Sequence, residues 1–272
     1  MNILQTILET KRKEVAALRA RVTMDDLIQQ ARRGPEVRNF FSAVTKKPIR
    51  AVNLIAEIKK ASPSAGVICP DFDPVKIARQ YTSAGADALS VLTDEQYFQG
   101  NLDYIRQVRD ASPLPVLRKD FIIDPCQVYQ SRAAGADAIL LIAAALPPGV
   151  LMDLMILATE LRMTTLVEVH GMDELLAVRS MIGFPHAAYS LLGINNRDLA
   201  TFEVDIGTTT RLAELADGKP IVSESGIKTF DDVSRLARAG VQAVLVGETL
   251  MRSGDIQQEV QALLGPIRIG TK

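Results

Sequence analysis

The sequence predicts an α/β fold, a closed (β/α)8 barrel of the TIM type with an N-terminal helical extension. Three observations lead there. Ala84-Gly85-Ala86-Asp87-Ala88-Leu89, Ala134-Gly135-Ala136-Asp137-Ala138-Ile139 and Ala239-Gly240-Val241-Gln242-Ala243-Val244 echo one another. Each reads as a helix closed by a left-handed glycine, a short link and a buried strand. Their glycines lie 50 and 105 residues apart, about two and four units of roughly 25 residues, which implies stacked parallel βα units. The apolar runs are continuous rather than alternating, as strands covered on both faces require. Several runs also stop at residues suited to acid–base chemistry: Leu54-Ile55-Ala56 before Glu57-Ile58-Lys59, Pro115-Val116-Leu117 before Arg118-Lys119-Asp120, Thr165-Leu166-Val167 before Glu168, and Ile221-Val222-Ser223 before Glu224. Charges at buried strand ends are costly as structure alone, and the C-terminal ends of barrel strands are where active sites are built.

The same ruler places strands near Val52–Lys59, Ala88–Thr93, Pro115–Lys119, Ala138–Ala143, Thr165–Val169, Leu191–Asn195, Pro220–Glu224 and Ala243–Gly247. Helical patterns fill the gaps, as at Pro74–Ala84, Asp124–Ala134, Pro147–Leu161, Asp173–Met181 and Phe230–Ala239. Pro74, Pro125 and Pro147 sit where first-turn prolines belong. A doubly wound open sheet is the alternative, but eight near-equal units favour closure. Residues 1–50 fall outside the repeat. Leu4, Ile7, Leu8, Val15 and Leu18 recur at helical spacing with Lys and Arg expected on the other face, and a second short helix is expected at Asp25–Arg32, before Phe40-Phe41. Residues 1–272 therefore read as one barrel domain, with 1–50 as a helical cap.

Composition narrows the function. The chain has 31 basic and 32 acidic residues, a net charge of −1, which leaves no electrostatic footprint for nucleic acid or an acidic membrane surface. No run of ~18 apolar residues occurs, and Met1–Ala20 is amphipathic and charged, so neither a membrane span nor a signal peptide is expected. Cys69 and Cys126 suggest no disulfide framework, and His170 and His186 suggest no metal site. A cytoplasmic enzyme without metal or cofactor is the expectation. Nothing argues for a subunit interface, so a monomer is expected.

Strand side chains alternate faces, and one choice of face per strand gathers the polar groups. Ile55, Glu57 and Lys59 share a face, as do Leu117, Lys119 and Phe121; Leu166, Glu168 and His170; Gly193, Asn195, Arg197 and Leu199; and Val222, Glu224 and Gly226. Neighbouring Lys and Glu would pair and stay charged despite burial. Two lysines close together would lower each other's pKa, with Glu57 and Glu168 opposing. Ser223-Glu224-Ser225-Gly226-Ile227 and Val246-Gly247-Glu248-Thr249 follow the last two strands, where barrels commonly seat phosphate on backbone N–H groups. Glu248 must turn its carboxylate away there. A small phosphorylated molecule is thus the expected substrate.

These residues resemble the indole-3-glycerol phosphate synthase family. Glu57 to Gly66 is similar to its E-x-K-x-x-S-P-S element, and the likeness continues through Leu92–Gly100, Arg118–Asp124, Leu166–Glu168, Gly193–Leu199, Ser223–Ile227 and Leu245–Gly247. The resemblance implies cofactor-free ring closure of 1-(2-carboxyphenylamino)-1-deoxyribulose 5-phosphate, with loss of carbon dioxide and water, in tryptophan biosynthesis. By that resemblance Lys119 is the general acid, Lys59 a second essential lysine and Glu168 the proton carrier of the later steps. Glu57, Asn195 and Glu224 form the supporting polar shell. Phe98, Phe121, Leu140 and Leu199 seat the aromatic ring, Ser62 and Arg197 hold anionic or hydroxyl groups, and Ser225, Gly226, Gly247 and Glu248 cradle the phosphate. The family commonly has lysine where this chain has Ala65, and a charged residue near Cys69-Pro70, which touches the loop after the first strand rather than the reaction type. Other readings of the residues alone are a Schiff-base aldolase using Lys59 or Lys119, a phosphoribosylanthranilate isomerase, and a non-catalytic scaffold barrel.

Overall fold

The computed structural model describes residues 3–198 and 201–267. Eight strands, β1 (Asn53–Ile58), β2 (Ala88–Leu92), β3 (Val116–Lys119), β4 (Ala138–Ile142), β5 (Thr164–Val169), β6 (Ser190–Asn195), β7 (Ile221–Glu224) and β8 (Ala243–Val246), form one closed barrel. All pair in parallel with their sequence neighbours, and Asn53–Ala56 against Ala243–Val246 seals the ring. The open-sheet alternative is thereby excluded.

Local chemistry explains the elements. Helices Pro74–Ala84 and Pro125–Ala134 follow Asp73 and Asp124, whose carboxylates accept the N–H groups of Val75 and Cys126. Proline then occupies the first helical position, where its missing N–H costs nothing. Both helices stop at left-handed glycines, Gly85 (φ 87°) and Gly135 (φ 94°). Pro147 departs from expectation: it precedes the helix Pro148–Glu160, and Pro148 is the first-turn proline.

Alternation along each strand sorts the core into two layers. Leu54, Ala56, Val91, Leu141, Val167, Leu192 and Val244 face outward and pack beneath the helices. Ile55, Leu117, Leu140, Leu166, Leu191, Val222 and Leu245 fill the barrel. One inward step beyond Ile55, Leu117, Leu166 and Val222 come Glu57, Lys119, Glu168 and Glu224. The packing of the interior thus delivers four charged groups to the C-terminal mouth.

The extension contributes α1 (Ile3–Arg21), α2 (Met24–Arg32) and α3 (Phe40–Thr45). α3 closes the N-terminal mouth: Phe40 and Val44 join the interior cluster, and the Asn53 amide donates to the Val44 and Lys46 carbonyls at 3.0 and 2.9 Å. α2 lies against helix Pro125–Ala134. α1 crosses the opposite, C-terminal mouth and buries Leu4, Ile7 and Leu8. Lys11 corrects the expected polar face. It is only 2% exposed, with Nζ 2.8 Å from Asp94 Oδ2 and 3.0 Å from Asp120 Oδ1. Two buried carboxylates in the loops after β2 and β3 need a cation, and α1 supplies it. Among the described residues no helix is long and apolar enough to cross a membrane.

Candidate active site

A cavity of about 990 Å³ opens at the C-terminal mouth. Its wall includes Glu57, Lys59, Ser62, Phe98, Lys119, Phe121, Leu140, Glu168, Asn195, Arg197, Glu224, Ser225, Gly226, Gly247 and Glu248. Leu199 lies outside the described residues. The remaining site residues named from the sequence thus surround a single space.

Its polar floor is a row of opposed charges. Lys119 Nζ lies 3.1 Å from Glu168 Oε2 and 3.5 Å from Glu224 Oε2, while Lys59 Nζ lies 2.6 Å from Glu57 Oε1. Burial favours neutral Lys119, but Glu168, Glu224 and Glu57 outweigh it and raise its pKa well above the lysine range. The expected depression by a second lysine is therefore overturned, because three carboxylates surround the ammonium. A Lys119 that carries its proton at rest suits an acid or an electrostatic clamp, and disfavours a Schiff-base nucleophile. Burial would raise Glu168, yet Lys119 and His170 hold it well below the usual carboxylate range. Glu224 goes the other way: burial, with Glu168 and Glu57 adding to it against Lys119, pushes it up to about 8.

Two glycines make room for this floor. A Cβ at Gly247 would fall 2.5 Å from Glu57 Oε1, and one at Gly193 would fall 2.6 Å from Glu224 Oε1. After β7 the chain folds back through two successive left-handed residues, Ser225 (φ 67°) and Gly226 (φ 76°). Asn196 pins that turn, its amide donating to Ser223 Oγ, the Glu224 carbonyl and the Ser225 carbonyl at 3.1, 2.9 and 3.0 Å. Gly247 precedes a short helix, Glu248–Arg252, whose first N–H groups have no intrahelical acceptor. The Glu248 carboxylate turns out to Arg252 at 3.0 Å, as an anion seat would need.

The apolar wall faces this turn. Phe98 and Phe121 are half-buried, with ring centroids 6.2 Å apart and planes inclined by 39°. Asp94 caps the helix Glu95–Phe98, accepting the Tyr97 and Phe98 N–H groups at 2.7 and 3.2 Å. Asp120 accepts the Phe121 N–H at 2.8 Å. Lys11 joins both carboxylates, so α1 braces the loops that carry the aromatic pair. Ser62 sits in a small antiparallel ribbon, Ala61–Ser62 with Gly66–Val67, where its Oγ accepts the Ala65 N–H at 3.2 Å. The Arg197 N–H donates to Asn195 Oδ1 at 3.0 Å, and its guanidinium donates to the Phe202 carbonyl at 3.3 Å.

Sequence reasoning missed several participants. Ile3, Leu4 and Ile7 of α1 line the cavity; the helical spacing of Leu4 and Ile7 points to a cap over the barrel, but not to a wall of this cavity, and Ile3 lies outside that stripe as read. Lys11 stands four residues after Ile7, on the same stripe, and that register was the available signal. Asn196 has outward parity and gave none.

Comparison with known proteins adds to this geometry. A family model described as Indole-3-glycerol phosphate synthase matches residues 4–263. A curated relative of that name from Neisseria gonorrhoeae is 50% identical over 263 residues, spanning 96% of this chain and 99% of its own. Another from Geobacillus kaustophilus is 49% identical, spanning 97% of each chain. Among solved structures, a 3-hexulose-6-phosphate synthase covers 78% of this chain with a TM-score of 0.61; at 15% identity that likeness concerns the fold alone. With the match running through the extension and the whole barrel, the chain belongs to the indole-3-glycerol phosphate synthase family, carboxy-lyases that close the indole ring of a phosphorylated substrate with loss of carbon dioxide and water, a step of tryptophan biosynthesis.

Proposed function

We propose that Lys119 is the general acid of this ring closure and that Glu168 carries protons in the later steps. The observation that carries this reading is the buried Lys119–Glu168 pair, 3.1 Å apart, between an apolar wall and the turn after β7. As the ring carbon attacks the substrate ketone, negative charge grows on the ketone oxygen, where an aimed ammonium stabilises and then protonates it. Carbon dioxide leaves, and its bonding electrons restore the aromatic ring. The new hydroxyl then departs as water, with Lys59 steering the carboxylate beforehand and donating a proton here. Glu168 accepts the proton lost from the carbon beside the ring nitrogen in this step and hands it back to Lys119, while Lys59 regains its proton from solvent.

Glu57, Asn195 and Glu224 hold these groups in place. Phe98, Phe121 and Leu140 seat the aromatic ring, together with Leu199. Ser62 and Arg197 bind anionic or hydroxyl groups, and Ser225, Gly226, Gly247 and the Glu248 N–H cradle the phosphate. The chain works as one domain, residues 1–50 being its extension, and as a cytoplasmic monomer that binds no nucleic acid.

The test is direct: purified protein, given the carboxyphenylamino-deoxyribulose phosphate, should generate indole fluorescence. Lys119→Ala should abolish turnover while substrate affinity changes little, because its contact strengthens in the transition state. Unchanged turnover would remove Lys119 from the role. Glu168→Gln should lower kcat by about 10²–10⁴-fold; full activity would transfer its task to another carboxylate.

A further inference from the structure

One oxygen of Glu168 faces Lys119, and the other faces a group that the reading above leaves without a task. His170, two residues further along the same face, places Nε2 3.1 Å from Glu168 Oε1. Its Nδ1 lies 3.3 Å from Glu174 Oε2, and that same oxygen accepts the His170 backbone N–H at 2.8 Å. Glu174 belongs to the first turn of helix Met172–Val178 and is 29% exposed, against 10% for the His170 side chain. His170 is not part of the cavity wall. It stands behind Glu168, gripped from the solvent side.

Charge counting gives this arrangement a purpose. Three carboxylates crowd the floor, Glu57 from β1, Glu168 from β5 and Glu224 from β7, beside two ammonium groups, Lys59 and Lys119. Glu224, pushed up to about 8, holds its proton at neutral pH, so the charges to be matched are those of Glu57, Glu168 and, behind it, Glu174. The strands flanking β5 add only neutral groups at this level, Ile142 from β4 and Gly193 with Asn195 from β6. An imidazolium at 170 supplies the third positive charge, and Glu174 closes the row. We propose that His170, clamped by Glu174, is a positioning residue that holds Glu168 charged and turned toward Lys119. The inference rests on the reading of Glu168 as proton carrier. Burial lowers the pKa of His170, but Glu168 and Glu174 outweigh it and push the imidazole up to about 10, so the cation persists through neutral pH. Without it, one buried negative charge lacks a partner, and the least costly remedy is for a carboxylate to retain a proton. Glu168 then cannot accept one from the substrate.

His170→Gln keeps a hydrogen-bonding side chain of similar reach and removes the charge. The expected result is the acid limb of the kcat profile moved up by about one pH unit, so that kcat falls by about tenfold at a pH on that limb, with KM within about twofold. Glu174→Gln should move that limb in the same direction by less. Wild-type kcat and an unmoved limb in His170→Gln would overturn the proposal, as would a loss equal at every pH, the mark of a merely structural role. If His170→Gln does not fold, Glu174→Gln decides, and an unmoved limb overturns. Glu168→Gln separates the two claims: inactive beside a normal His170→Gln, it defeats the positioning role alone; active, it defeats the role of Glu168 and this inference with it.

Discussion

At the scale of single residues, the site is a set of carboxylates whose surroundings drive them apart. Glu168, held low between Lys119 and His170, contributes stability above the ordinary carboxylate value that is lost as pH falls. Glu224 behaves oppositely. Its pKa is raised from 4.5 to about 8, so the folded state holds more protons than the unfolded one, and stability declines as pH rises through that interval. His170 adds to the decline, since its contribution is complete below its ordinary value of 6.5 and disappears as pH rises through about 10. Glu224→Gln should therefore melt higher than wild type at pH 9 and converge with it near pH 5. A gap independent of pH would show that Glu224 is not the proton-holding member. These residues were legible by strand parity, because period-two alternation needs no tertiary information. Their pKa values were not, because those depend on how many opposite charges stand within reach.

At the scale of elements, strand ends and loops are held by contacts that local sequence does not announce. Gly247 illustrates this. Its place after the last strand marks it for the phosphate cradle, and it also leaves the space that Glu57 occupies. Gly247→Ala should fold, yet lose roughly tenfold or more in kcat as Glu57 and its partner Lys59 shift, since small misplacements are costly in catalysis. Wild-type kinetics in that variant would show that the carboxylate can move without consequence. Lys11 gives the second case. Lys11→Met would leave Asp94 and Asp120, both nearly fully buried, without their shared cation, at an expected cost of about 3–5 kcal/mol. Denaturant unfolding measures this, and a cost below about 1 kcal/mol would mean that Arg118, which donates to Asp120 at 2.9 Å, suffices. The helical stripe of α1 was visible, but a lysine on it is ordinarily assigned to solvent. Only the acids brought from two other loops reverse that choice.

At the scale of the whole molecule, α1 and α3 stopper opposite mouths of the barrel and have different tasks. α3 fills the interior from below with Phe40 and Val44, while α1 lends Ile3, Leu4 and Ile7 to the cavity. Removing residues 1–21 should leave a barrel with weakened substrate affinity and a lower melting temperature; unchanged KM would mean that the α1 wall does not reach the substrate. The repeat of left-handed glycines, the apolar runs and the charged strand ends determined eight parallel strands and the mouth at which the chemistry gathers, because periodicity and turn chemistry are properties of the chain itself. The open-sheet alternative was decided only by β8 pairing with β1, a contact between residues almost two hundred positions apart. The burial of Lys11, the clamp on His170 and the opposite fates of Glu168 and Glu224 were likewise settled in three dimensions. Desolvation and Coulomb attraction act over a few ångströms of space, whatever the distance along the chain.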